Sequence, residues 1–115
     1  MKFSVVVAIV AEELEDDAIA VAKENGASGV THLKARGLGS SDKKTFMGLS
    51  YEGNQSVMIY VLEKKLSLKI VKDINKKLSL EELGRGIIFS LPIEHLAGIN
   101  LQQVVQFEKS LRDDL

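Results

Sequence analysis

The 115-residue sequence predicts an α+β domain in which two helices cover one face of a four-stranded antiparallel sheet. Three observations lead there. Phe3–Val10 and Val57–Leu62 are apolar on both alternating faces, as strands covered on both sides are. Two other segments recur at helical spacing and carry their charges on the opposite side. The elements then run strand–helix–strand twice over, with short connections between them.

Phe3–Val10 is the first strand. The apolar run Val5–Ala11 is much shorter than the ~20 residues of a membrane helix. Lys2 precedes it, as in a secretory leader, but Glu12, Glu13, Glu15, Asp16 and Asp17 follow with no small-residue cleavage site. It reads as a strand of a cytoplasmic protein. Acids at 15–17 suit a helix N-terminus, where they oppose the positive end of the macrodipole. Leu14, Ala18, Val21 and Ala22 form that helix's stripe, and Gly26 suits a left-handed residue just past its end.

Val30–Arg36 alternates, with Thr31, Leu33 and Ala35 on one face and His32, Lys34 and Arg36 on the other, as a half-exposed edge strand does. Residues 37–42 are a loop by composition. Thr45–Glu52, Gly53-Asn54 and Gln55–Leu62 read as an added hairpin arm whose second strand is the buried one. Ser67 is placed to cap a second helix with the stripe Ile70, Val71, Ile74 and Leu78. Ser79 with Glu82 matches a capping box for one more turn, closed by Gly84. Ile87–Ile93 is the fourth sheet strand, bent or ended by Pro92, and a C-terminal helix starts at Leu101. Two right-handed crossovers arrange these elements as a ferredoxin-like βαββαβ fold. We expect a single domain over 1–115, with a core of 1–100 and a helical extension over 101–115.

A net charge of −1 and 5% aromatic residues argue against a nucleic-acid partner, which would call for a basic surface and stacking platforms. With no cysteine, disulfide scaffolds and cysteine-based metal or redox sites are excluded. The charge is unevenly spread: 12–17 is almost all acidic, and 64–77 holds six lysines against Asp73 alone. Such runs are usually solvated helix faces. The helices cover one sheet face only, while the central strands are apolar on both. Packing in a closed homo-oligomer would cover the second face, and so would the C-terminal helix.

Two glycine pairs are the candidate binding elements. Gly37 and Gly39 follow the second strand, Gly84 and Gly86 precede the last, and Arg36 and Arg85 stand beside them. Glycines let backbone N–H groups converge on an anion, although turn geometry alone also explains glycines at loop entries. Neither pair continues into a Walker A loop or a dinucleotide fingerprint. His32 and His95 are too isolated for a metal pair, and Ser40 and Ser41 have no adjacent base. We expect no catalytic and no metal site.

The sequence resembles the PII signal-transduction proteins and their PII-like relatives over residues 1 to about 100. The stretches that carry the likeness are 7–10 leading into 14–18, 26–31, Arg36-Gly37-Leu38-Gly39, and Gly84-Arg85-Gly86 running into Glu94. The resemblance implies a trimer of ferredoxin-like subunits with adenine nucleotide between neighbours. It further implies a non-enzymatic role in which a loop, here around residues 39–54, docks on a membrane transporter or metabolic enzyme. By that likeness Thr31, Gly37, Gly39, Gly84 and Gly86 would contact the nucleotide, Ile9 and Val61 would wall the cleft, and Arg85 would add a phosphate contact. Ile87 stands where the family has a lysine, and Gly98 and Asn100 where it has arginines. Each charge-assisted phosphate contact is worth roughly 1.5–3 kcal/mol, so AMP or ADP is expected in preference to ATP. Tyr51 reads as an ordinary hairpin residue rather than a modification site. The functions open at this point are three: a trimeric regulator sensing a small anionic ligand, an interaction module that has lost nucleotide binding, and a sensor of another small molecule or metal.

Overall fold

A computed structural model describes residues 2–27, 29–36, 45–46, 49–50, 54–82 and 85–98. In chain order these form β1 (Phe3–Ala11), a 3-10 turn (Glu12–Leu14), α1 (Glu15–Glu24), β2 (Thr31–Arg36), β3 (Thr45–Phe46), β4 (Leu49–Ser50), β5 (Asn54–Glu63), α2 (Lys64–Leu78) and β6 (Gly86–Pro92). The main sheet has the order β2-β5-β1-β6 with antiparallel pairing throughout. The two doubly apolar strands, β1 and β5, are therefore central, and the alternating strand β2 is an edge.

Pleating sends neighbouring residues of β1 to opposite faces. Val6, Ala8 and Val10 are fully buried beside Met58, Tyr60 and Leu62 of β5. Ala18, Val21 and Ala22 of α1 and Ile70, Ile74 and Leu78 of α2 close that side. Burying a valine or isoleucine this fully contributes about 1.5–3 kcal/mol over leaving it exposed. Tyr60 is the largest of these side chains; burial pushes its phenol pKa up to about 12.

The other face is apolar too, and both helices lie away from it. One row crosses the sheet as Leu33–Val57–Ile9–Ile87, the next as Thr31–Ile59–Val7–Phe89. Leu33, Val61 and Leu91 are 55%, 45% and 52% exposed. Among the described residues, nothing covers this layer.

Helix α1 begins on its acidic turn and ends where expected, with Gly26 at φ 96 just past the capping residue Asn25. The start of α2 differs from the sequence expectation by four residues, since Glu63 rather than Ser67 is the capping position. Lys64 opens it, its N–H donating to the Lys2 carbonyl at 3.0 Å. Ser67 is not the cap: it is buried inside the helix, and its hydroxyl donates to the Lys64 carbonyl at 2.8 Å. Ser79 starts no capping box either. It stands at φ 52, in the left-handed region, and terminates α2.

A hairpin arm is present, but its pairing is local. Thr45–Phe46 pairs with Leu49–Ser50, while β5 takes β1 and β2 as its neighbours. β5 is a long, doubly apolar strand, and the sheet centre gives it a paired strand on each edge. β6 ends at Pro92, which its place on an edge strand tolerates, and the Ile93 N–H still donates to the Phe3 carbonyl at 3.0 Å. The expected C-terminal helix from Leu101 lies outside the described residues.

Candidate functional site

Because β1 and β2 both run antiparallel to β5, their last residues share one end of the sheet with the first residues of β5 and β6. Arg36 is opposite Asn54, Ala35 opposite Gln55 and Gln55 opposite Ala11, and Val10 is opposite Gly86. The Ala11 N–H donates to the Arg85 carbonyl at 3.0 Å, which fixes residue 85 to the same end. Three of the sequence-predicted residues, Arg36, Arg85 and Gly86, thus line one end, although on opposite edges. Thr31 does not join them: it lies on the open sheet face, in the row of Ile59, Val7 and Phe89. Gly37, Gly39 and Gly84 lie outside the described residues.

Gly86 has a structural requirement of its own. It adopts φ +149, and a Cβ there would stand 2.5 Å from the Ile9 carbonyl oxygen and 2.8 Å from Val10 Cα. The glycine lets β6 pack directly on β1, whatever approaches from outside. Arg85 is also engaged within the fold. Its half-buried guanidinium donates from Nε to the Leu78 carbonyl at 2.5 Å, placing positive charge at the C-terminal end of α2. A groove of about 370 Å³ opens beside Gly86 between α2 and β6, with Val71, Leu80, Ile87 and Ile88 as its apolar walls and Asn75 among its lining.

A second polar constellation, across the sheet at β2, was not singled out from the sequence. Glu15 accepts from Ser56 Oγ at 2.8 Å and from His32 Nδ1 at 2.7 Å; Lys34 Nζ lies 2.6 Å from Glu12 and 3.6 Å from Glu15. The Ser56 hydroxyl, then His32, holds the Glu15 carboxyl below the usual carboxylate value. Hydrogen bonds from Lys34 and then Asn54 do the same for Glu12, and the Glu12 bond raises the ammonium of Lys34. The acids at 12–15 therefore do more than oppose a helix dipole. They tie the start of α1 to the strand leading into residue 37. The signal was available in the spacing, since Glu12 and Glu15 share a helical face and His32 and Lys34 share a strand face.

The described residues include no cluster of three or more His, Asp or Glu arranged for a metal ion. The described end of the sheet therefore brings together Arg36, Arg85 and Gly86, beside an apolar sheet face that no described residue covers.

A four-stranded antiparallel sheet in the order β2-β5-β1-β6, with both helices on one face, defines the ferredoxin-like class of α+β domains. The nitrogen regulatory protein P-II family matches the chain over residues 3–103, and the protein belongs to that family. No curated protein matches it. Among the solved structures that share the fold, three illustrate it at low identity. One, described as a PII-like signalling protein of Thermus thermophilus, is 19% identical with a TM-score of 0.61, the match covering 81% of this chain and 87% of that one. Another is CPII of Thiomonas intermedia bound to ADP, AMP and acetate: 11% identity, TM-score 0.58, 82% and 90% covered. A third is the same nitrogen regulatory PII-like protein bound to ADP, AMP and bicarbonate: 16% identity, TM-score 0.62, 86% and 98% covered.

Proposed function

We propose that the protein is a non-catalytic cytoplasmic regulator, a single domain over 1–115, that works as a homotrimer and senses a small anionic ligand between its subunits. The observation that carries this reading is the placement of β2 and β6 on opposite edges of the sheet. Three strand spacings, roughly 14 Å in all, separate the strand of Arg36, which leads into Gly37 and Gly39, from the strand that Arg85 and Gly86 open. A phosphate-sized anion cannot bridge that distance within one subunit. A neighbouring copy brought against the open face can place the two segments across one cleft, with Thr31, Ile9 and Val61 along its wall. The bare rows of that face favour such a neighbour.

The ligand class follows from charge. Arg36 and Arg85 supply two cations, while Ile87, Gly98 and Asn100 supply none, which suits AMP or ADP better than ATP. The nucleotides bound by CPII support the same class. Ligand state would set the conformation of residues 39–54, which would contact a protein target, a membrane transporter or a metabolic enzyme. Titration calorimetry with AMP, ADP and ATP on the trimer tests this reading. Binding of AMP or ADP at least about tenfold tighter than ATP is the expected result.

One observation favours a second reading, an interaction module without nucleotide. Arg85 is already bonded to the Leu78 carbonyl, so a phosphate would have to compete with that bond. An absence of heat with all three nucleotides, from a protein still trimeric by light scattering, would select it.

A further inference from the structure

The outer face of α2 carries a feature that a nucleotide cleft leaves unexplained. Lys65, Lys69, Lys72 and Lys76 follow one another at four-, three- and four-residue steps, a straight line along one side of the helix about 16 Å long. All four are exposed, and none has an ion-pair partner among the described residues. Lys77, by contrast, pairs with Glu24 at 3.0 Å. Asp73 is the single acid of the helix and is half-buried. Leu68 sits within the line and is 55% exposed.

Like charges one turn apart repel, so this row works against helix formation and gains nothing from internal pairing. The opposite side of α2 is pinned to the core by Ile70, Ile74 and Leu78, so the row is held on a rigid support. It lies on the helix layer, opposite the bare sheet face, and remains outward when that face is covered.

We propose that this row is a docking surface for an anionic lipid bilayer. Lysines with no arginine among them suit a diffuse layer of negative headgroups better than the paired geometry of one carboxylate or phosphate. A convex helix without aromatic residues offers bases no stacking platform. Leu68 can reach the headgroup boundary while the flanking lysines keep their charges in water. Clusters of four or more lysines on an amphipathic helix bind anionic membranes in this way. Lys72 also borders the groove beside Gly86, while Lys65, Lys69 and Lys76 lie outside its lining.

The test is co-sedimentation of the full chain with phosphatidylcholine vesicles containing about one-third phosphatidylserine, in about 50 mM salt. We expect binding to these vesicles, release at about 0.5 M salt, and no binding to phosphatidylcholine alone. Changing all four lysines together (Lys65→Gln, Lys69→Gln, Lys72→Gln, Lys76→Gln) should weaken binding by about tenfold or more without lowering the melting temperature. The corresponding four Lys→Arg changes should preserve it. Equal binding to both vesicle types, or unchanged binding by the four-glutamine variant, would overturn the proposal. Tighter binding of duplex DNA than of the vesicles at the same salt would overturn it in favour of a polyanion surface.

Discussion

The two faces of β1 are built from nearly the same residues and live in different surroundings. Val6, Ala8 and Val10 are sealed by α1 and α2, whereas Val5, Val7 and Ile9 form a half-exposed layer with Val57, Ile59, Phe89 and Leu91. Composition alone does not distinguish them; only the count of covering elements does. Two helices cover one face of the four-stranded sheet, and no other described residue covers the second. On the proposed reading the first face is the condition for folding and the second the condition for assembly.

Charging each face separately should break that comparison most sharply. Val6→Asp buries an unpaired carboxylate among Ile70, Ile74 and Tyr60, and should destabilise the fold by on the order of 5 kcal/mol, leaving a chain unfolded by circular dichroism. Val7→Asp, one residue along on the open face, should keep its native spectrum and sediment as a monomer. Both variants unfolding, or Val7→Asp remaining associated, would refute the division of labour.

Gly86→Val comes next. Its Cβ meets the Ile9 carbonyl and Val10 Cα in a backbone conformation that branched residues avoid, so a loss of about 3–4 kcal/mol is expected by urea unfolding without any ligand. That outcome would place the glycine among the folding residues before any role in binding. A smaller contrast comes from paired truncations. Ile74→Ala should cost about 3 kcal/mol, and Leu91→Ala less than about 1 kcal/mol when both are measured in the monomeric Val7→Asp background.

The smallest effect is on pH. Glu12 and Glu15 have carboxyls held below the ordinary 4.5, so the stability they contribute is fully present above that value. It is lost as pH falls from about 4.5 through the lowered folded-state values, because the unfolded chain takes up the protons first. Glu15→Gln should flatten the decline in melting temperature over that range.

Much of this architecture could be read from the residues. The two doubly apolar strands announced the sheet centre, the alternation at 31–36 announced an edge, and the bare face followed from counting helices. What misled was local chemistry that tertiary contacts overrode. Ser67 looks like a cap because serine competes well for free N–H groups, yet the Lys64 N–H found the Lys2 carbonyl, 62 residues earlier in the chain, and the helix began there. Gly53-Asn54 looks like a hairpin turn, but the strand after it is needed between β1 and β2. At the candidate site, the sequence pairs Arg36 with Arg85 and Gly86, and the strand order sets them at one end of the sheet on opposite edges; the bond from Arg85 to Leu78 was not legible, since it depends on how α2 ends. The contacts of Glu12 and Glu15 with β2 were missed because a nearby helix dipole already accounted for acids there.

The guarded state of β2 bears on how copies of this chain can join. A sheet with two free edges can grow without limit, each copy lending one edge to the next and offering its other edge to a third. Endless growth needs both edges to be competent. β6 has no charged residue over 86–92 and, among the described residues, no outer neighbour. β2 places Lys34 and His32 along the opposite margin and anchors both to acids at the start of α1. A foreign strand aligning there would meet fixed charges and would have to displace them. One protected margin is enough to stop strand-by-strand propagation, so the proposed trimer would join through the broad apolar face and close as a ring rather than grow as a fibre.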